Sequence, residues 1–233
     1  MPRRVVITGA GRGLGFEITK IHAEAGDEVY ALTHSVTEEL DALSKKHKTM
    51  HVLPCELTSE SSIIKCSKEI KGNIETLYNV AGLYYETGRV PLEETDIFET
   101  LKMYEVNAMG PMLMLKYMGP MMRNRGLVVN VSSEAGSIGE CYRDSEYGYC
   151  MSKAALNMFS KIYSNSVKES EIKVFCYHPG WLRTQMGGER AAASEDSISA
   201  KESADALMNL LQEFRAGESM LEFKDYTGKD WTW

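Results

Sequence analysis

The chain has 233 residues with 26 Lys plus Arg against 33 Asp plus Glu, a formal net charge of -7, and no basic block that could track a phosphate backbone, so nucleic acid is excluded as an expected partner. Its five cysteines (Cys55, Cys66, Cys141, Cys150 and Cys176) are scattered and form no CxxC pair, which excludes a disulfide framework and a zinc site and fits a reducing cytoplasm. No stretch approaches the roughly 18 to 20 apolar residues of a membrane span, and the length suits one α/β domain around a buried core.

Arg4 to Thr8 reads as a short Val/Ile strand that breaks into Gly9-Ala10-Gly11-Arg12-Gly13-Leu14-Gly15, followed by a helical pattern through Phe16, Ile18, Ile21, Ala23 and Ala25. Glycines let a backbone turn tightly and approach a pyrophosphate, and the start of a helix offers unpaired N–H groups and the positive end of its dipole. Strand, glycine loop and amphipathic helix in succession predict nucleotide binding. Asp27 to Thr33 reads as the second strand, Val36 to Lys46 as a helix and Thr49 to Pro54 as the third strand. Ser59 to Ile70 is helical, and Ile74 to Val80 is a strand that ends in Asn79-Val80-Ala81-Gly82. Strands that alternate with helices predict an α/β fold: a doubly wound parallel sheet of about seven strands with helices on both faces and a ligand crevice at the carboxyl ends of the strands.

Tyr84 to Thr95 is a polar loop, and from Asp96 a Met-rich helical pattern runs to Met122, bent at Gly110-Pro111, with Asn107 as its polar residue of interest. Leu127 to Val131 is a buried strand left through Ser132, Ser133 and Gly136. Beyond the loop Gly139 to Tyr147, Tyr149 and Lys153 are spaced i, i+4 at the start of a helical pattern and share one face. A hydroxyl at a strand end and a Tyr one turn before a Lys form a catalytic pattern, provided that the chain also holds a cofactor. Ile172 to Tyr177 is a strand that ends in His178-Pro179-Gly180-Trp181, with Thr184 close behind. The segment from Met186 to Ser199 is rich in Gly, Ala and Ser and suits a mobile cover over a substrate. Ala200 to Phe214 is a last amphipathic helix, Ser219 to Phe223 a last strand, and Tyr226 to Trp233 the tail.

Taken in order, the glycine loop, Asn79-Val80-Ala81-Gly82, Asn107, Ser133, Tyr149, Lys153 and Pro179-Gly180 resemble the short-chain dehydrogenases/reductases over nearly the whole chain. The stretch PGWLRTQMGG and the Trp-terminated tail look most like the carbonyl-reductase subgroup with sniffer-type enzymes and C-factor proteins. Three departures stand out: Glu56 where the family usually has Asp, NVAG for NNAG, and a longer spacing from Ser133 to Tyr149.

The resemblance implies that Tyr149 donates a proton to a carbonyl oxygen while Lys153 supplies the charge that favours its phenolate. Ser133 would hold the oxygen, with Ser132 as the alternative, and Asn107 would position a water. Gly9, Arg12, Gly13, Leu14, Gly15, Thr33, His34, Glu56, Leu57, Asn79, Ala81, Gly82, Tyr149, Lys153, Pro179, Gly180 and Thr184 would contact the cofactor. Thr33 where an NAD site would have an acid, followed by His34 and supported by Arg12, predicts NADP(H), with NAD(H) as the alternative. The expected partners are a small carbonyl or alcohol substrate, bounded by the segments 84 to 95, 139 to 147 and 186 to 199, and a second copy of the chain in a homodimer or homotetramer. The competing reading is a nicotinamide-nucleotide-binding signalling protein of C-factor type with little or no turnover.

Overall fold

A computed structural model describes residues 2–233. Seven strands form one sheet in the order β3-β2-β1-β4-β5-β6-β7, and every neighbouring pair is parallel. They are β1 (Arg4–Thr8), β2 (Glu28–Thr33), β3 (Met50–Pro54), β4 (Ile74–Asn79), β5 (Met122–Val131), β6 (Lys173–His178) and β7 (Leu221–Asp225). The helices are α1 (Gly13–Glu24), α2 (Glu38–Lys46), α3 (Glu60–Glu69), α4 (Ile97–Tyr104), α5 (Gly110–Met118), α6 (Tyr147–Ser166), α7 (Gly188–Ala193) and α8 (Ala200–Ala216).

The strands read as continuous apolar runs because both faces of the sheet are covered. Val5 and Ile7 of β1 point into one core layer with Ile18 of α1, Leu40 and Leu43 of α2, and Leu207 and Leu211 of α8. Val6, between them, points to the opposite layer with Ile63 and Cys66 of α3 and Met114, Leu115 and Met118 of α5. The strand period of two therefore divides one β1 run between two cores, which is the doubly wound arrangement. The chain reverses its direction of winding between β1 and β4, which opens a crevice at the carboxyl ends of these two neighbours.

Several boundaries differ from the sequence reading. The Asp96 to Met122 helix is not continuous: α4 passes through one π-helical turn at Glu105–Met109 before α5, and α5 ends at Met118. Pro111 lacks the N–H that an unbroken ladder would need, and Gly119-Pro120 closes the run in a single 3-10 turn. Strand β5 starts at Met122 instead of Leu127, because Met122 pairs with Ile74 before the register shifts and resumes at Thr76 and Leu127. The 186 to 199 segment contains α7 rather than being irregular throughout, and β7 runs to Asp225, two residues past Phe223. No helix among the described residues is long and apolar enough to cross a membrane.

Candidate active site

The glycine loop, Val80 to Gly82, Ser132 to Ser133 and His178 to Gly180 follow the carboxyl ends of β1, β4, β5 and β6, which are adjacent in the sheet. Tyr149 and Lys153 meet them from the first two turns of α6, which begins at Tyr147. Gly82 lies at this convergence: a Cβ there would be in ordinary contact with Asn107 Oδ1 at 3.5 Å and Lys153 Nζ at 3.7 Å. Parallel pairing and one helical face thus collect residues that lie far apart in the chain.

Lys153 is 3% exposed, donates from Nζ to the Val131 carbonyl at 2.8 Å and lies 5.7 Å from the centroid of the Tyr149 ring. Burial pushes its ammonium down to about 8. Burial, and then the charge of Glu134, raise the Tyr149 phenol well above its ordinary value. In this structure the protein alone therefore favours a neutral phenol beside a lysine that gives up its proton more easily than usual. Tyr84 packs edge-on against Tyr149, with centroids 5.2 Å apart.

The two adjacent serines differ. Ser132 is buried and donates to Asn157 Oδ1 at 2.6 Å, which ties it to the middle of α6, while Ser133 donates to Glu134 Oε2 at 2.5 Å. Asn107, in the π-helical turn, accepts the Leu83 N–H at 2.7 Å and donates to the Leu83 carbonyl at 2.9 Å and to Ser152 Oγ at 2.9 Å. Both of its amide hydrogens are thus used in strapping the β4 loop to α6, so any water it positions is reached through the remaining acceptor of Oδ1 or through its backbone.

The residues expected to contact the cofactor leave room for a nucleotide at the glycine loop. The N-terminus of α1 has no side-chain cap and no acid in its first turn, so its free N–H groups and positive dipole end face the loop unopposed. Gly13, at φ +56, turns the chain there, and a Cβ on it would come within 3.3 Å of Thr184 Cγ2, so the 184 segment closes over the loop. Arg12 donates to Gln185 Oε1 across the same gap. At the end of β2, Thr33 Oγ1 donates to the Ser35 carbonyl at 2.7 Å, and His34 Nε2 sits 3.3 Å from Glu56 Oε2. Gly9 and Ala81 lie in contact between the ends of β1 and β4. Leu14 and Leu57 are buried in opposite core layers and so can contribute only backbone groups to the cleft, while Asn79 donates inward to Asn130 Oδ1 and its own Oδ1 has no partner among the described residues. Pro179 uses its carbonyl to accept from Ser203, and Gly180 packs against Tyr226.

A cavity of ≈ 650 Å³ opens beside Tyr149 and Ser133, lined by Tyr84 and Arg89, by Tyr142 to Glu146, by Met186 and Gly187, and by Trp181 and Trp231. The tail reaches it because Asp225 organises the last turn: Oδ1 accepts from Thr227 and Lys229 N–H groups, and Oδ2 accepts the Trp231 indole N–H at 3.1 Å. Sequence reasoning missed the charged cluster in its wall. Arg143 bridges Glu134 and Glu146, and Glu146 also accepts from Tyr84 at 2.5 Å and from Arg89 Nε at 2.9 Å. Glu146, the residue before α6, holds a left-handed backbone (φ 61) and donates its N–H to the Gly88 carbonyl at 2.9 Å, tying the 84 to 95 loop to the helix. The one available signal was Glu134 directly after the serine pair.

A profile of the short chain dehydrogenase family matches residues 3–195. The C-signal protein of Myxococcus xanthus is 30% identical over 167 residues, which cover 70% of this chain and 94% of that one. The NADPH-bound carbonyl reductase from chicken fatty liver has a TM-score of 0.89 and 26% identity, covering 100% of this chain and 99% of the other. The carbonyl reductase Sniffer of D. melanogaster shares the fold, with a TM-score of 0.87, 23% identity and coverage of 100% of both chains.

Proposed function

Because the chain belongs to the short chain dehydrogenase family of oxidoreductases, we propose that it is an NADP(H)-dependent enzyme that moves hydride between nicotinamide and a carbonyl or secondary alcohol. The observation that carries this reading is the convergence of Tyr149 and a buried Lys153 on the cleft beside an uncapped α1 N-terminus. The nicotinamide cofactor supplies or accepts the hydride when bound. Tyr149 holds the proton that the carbonyl oxygen takes, and Lys153 provides the nearby ammonium that lets the phenol be deprotonated and recharged. Ser133 and the clamp of Asn107 on Leu83 hold the reacting end of the cleft in shape. Gly9 to Gly15 accommodate the phosphates, and Arg12 and His34 stand where a 2′-phosphate needs cations; the NADPH bound to the chicken carbonyl reductase supports the same choice.

The substrate sits between the 84 to 95, 139 to 147 and 186 to 199 segments, under Trp181 and Trp231. The free cysteines support a reducing compartment such as the cytoplasm. A signalling protein that only reads the nucleotide would have no use for a buried lysine beside a half-buried phenol that faces the cavity, so the enzyme is the better reading despite the likeness to C-signal. The test is a panel of aldehydes, ketones and secondary alcohols with both cofactors, followed through the absorbance of the reduced nicotinamide. Turnover of any carbonyl with NADPH supports the proposal, and stoichiometric nucleotide binding without turnover across the panel would return the signalling alternative.

A further inference from the structure

A serine hydroxyl has one proton and two lone pairs to place. At Ser133 the proton goes to Glu134 Oε2 at 2.5 Å and one lone pair takes the Ala135 N–H at 3.1 Å, which leaves a single acceptor position for the cleft. Glu134 is itself fixed: Arg143 bridges it to Glu146, and His178 Nδ1 lies 3.5 Å from the oxygen that holds the serine proton. His178 Nδ1 has no other partner and is buried.

We propose that Glu134 is a positioning residue for the oxidoreductase reaction: anchored by Arg143, its carboxylate takes the Ser133 proton in the resting site, fixing the direction of that hydroxyl, and sets a negative charge against the Tyr149 phenol. This rests on the reading of the site given above. The arrangement leaves Tyr149 rather than Ser133 as the hydroxyl free to donate to the carbonyl oxygen in the resting site, and it places a fixed negative charge beside the phenol.

The groups around the carboxylate decide the sign of its effect. Arg143 faces it from the 139 to 147 segment, His178 from the end of β6, and Tyr149 and Cys150 from α6, with Glu146, just before that helix, on the other side of Arg143, and Asp225 and Lys229 of the tail behind His178. The Ser133 hydroxyl and then Arg143 favour phenolate, and Glu134 opposes it. Burial works against ionisation of Glu134, but His178, Ser133 and Arg143 together hold it below the ordinary carboxylate range. It is therefore charged at neutral pH and helps Tyr149 keep its proton in the direction of carbonyl reduction.

Two variants separate charge from reach: Glu134→Gln keeps the volume and removes the charge, while Glu134→Asp keeps the charge and retracts it by one methylene. The alkaline limb of the pH profile for carbonyl reduction should move down by roughly one unit in Glu134→Gln, the lower end of the range for a neighbouring charge. In Glu134→Asp the limb should stay in place while kcat falls. Superimposable profiles for wild type and Glu134→Gln, or equal shifts in both variants, would overturn the proposal. A second arm needs no turnover and uses cofactor-free protein: the imidazole titration of His178, followed by nuclear magnetic resonance, should move to lower pH in Glu134→Gln because the carboxylate that favours its protonated form is gone. An unchanged midpoint would overturn the proposal as well. If wild type reduces no carbonyl, the oxidoreductase reading fails on its own, and the His178 arm still decides whether Glu134 is an ionised group coupled to the site. Should Glu134→Gln fail to fold, Glu134→Asp serves in both arms: its expected result is a wild-type alkaline limb and a retained His178 midpoint, and displacement of either overturns the proposal.

Discussion

The Lys153 ammonium lies 5.7 Å from the centroid of the Tyr149 ring while its one hydrogen bond goes to the Val131 carbonyl at 2.8 Å. An ammonium has three donors, so two are left over at a site that burial has already made costly for charge. The cleft thus holds an underused cation next to a phenol, a combination with a purpose only when an acceptor arrives from outside.

The first prediction separates the two side chains. Tyr149→Phe removes the proton donor and little else, and should lower kcat by about 100-fold or more, within the range for a lost general acid, with the dissociation constant for NADPH nearly unchanged. Lys153→Ala should weaken both turnover and NADPH binding. Steady-state rates and fluorescence titration of NADPH check this, and a Tyr149→Phe enzyme within threefold of wild type would sink the assignment.

The second follows from the same lysine. Its pKa is lowered to about 8, below the roughly 10.4 of an unfolded chain, so between these values the unfolded state binds the proton and the folded state does not. Stability of cofactor-free protein should therefore rise as pH rises through this window, and below it the buried charge costs about 3 kcal/mol. Lys153→Met should raise Tm at pH 7 and remove the slope, even as activity is lost. Thermal unfolding of both proteins from pH 7 to 10 is the measurement, and a less stable variant at pH 7 contradicts it.

These residues show where sequence reading succeeds. Tyr149 and Lys153 are legible because four residues make one helical turn, and the β1 loop is legible because glycines between a strand and a helix have few other uses. Leu57 and Asn79 sit in the expected stretches, yet their side chains turn inward, since a short motif gives the place of the backbone and not the face of the residue. Arg89, Arg143 and Glu146 were hidden for a different reason: the Arg89–Glu146 pair joins two loops 57 residues apart, Arg143 reaches Glu134 and Glu146 only through the path of its loop, and Glu146 adopts a left-handed backbone that its type does not favour. The π-helical turn at Glu105–Met109 carries no proline or glycine of its own to announce it.

A third prediction concerns the far end of the sheet, where Asp27 accepts from His22 at 2.7 Å and from the Arg3 backbone at 3.0 Å, while His22 also meets the Tyr78 hydroxyl at 2.9 Å. Burial would raise the Asp27 carboxyl, but these hydrogen bonds overcome it and hold the group down to about 2. Its stabilisation is complete above the unfolded value near 3.9 and is lost as pH falls through 2, amounting to about 2 kcal/mol at neutral pH. Asp27→Asn should be less stable by that order at pH 7, with the gap closing toward pH 2. Urea unfolding at pH 7 and pH 3 tests it; a constant gap would assign the effect to packing.

Self-association is the fourth. Ile97, Phe98 and Leu101 of α4 and Met151, Met158 and Ile162 of α6 are each more than half exposed on two helices that pack together. An apolar face of this extent favours a partner, and a second copy of the same chain supplies a matching one. Sedimentation at micromolar concentration should give a dimer or larger species, and Phe98→Asp together with Met158→Asp should shift it toward monomer. A monomer in wild type contradicts the prediction.

The last prediction concerns the choice between the two nicotinamide cofactors, where the structure adds a residue that the sequence did not suggest for this role. Thr33 leaves the end of β2 without the acid that an NAD site uses against the ribose, and His34 and Arg12 are the nearby cations. Each is engaged in the structure: His34 Nε2 is 3.3 Å from Glu56 Oε2, and Arg12 donates to Gln185. Glu56 is held below the ordinary carboxylate range, first by the Thr58 N–H, so its negative charge stays beside the position a 2′-phosphate would take. The carboxylate both occupies His34 and repels the phosphate, and so should limit a preference that the two cations create. The ratio of kcat/KM for NADPH over NADH should exceed one in wild type, fall in Arg12→Ala and in His34→Ala, and rise in Glu56→Gln. Because the phosphate contacts are ionic, the wild-type ratio should also shrink as salt is raised. Steady-state kinetics with both cofactors at two ionic strengths decide the matter: a wild-type ratio below one sinks the NADP assignment, and a ratio that Glu56→Gln leaves unchanged removes Glu56 from the account.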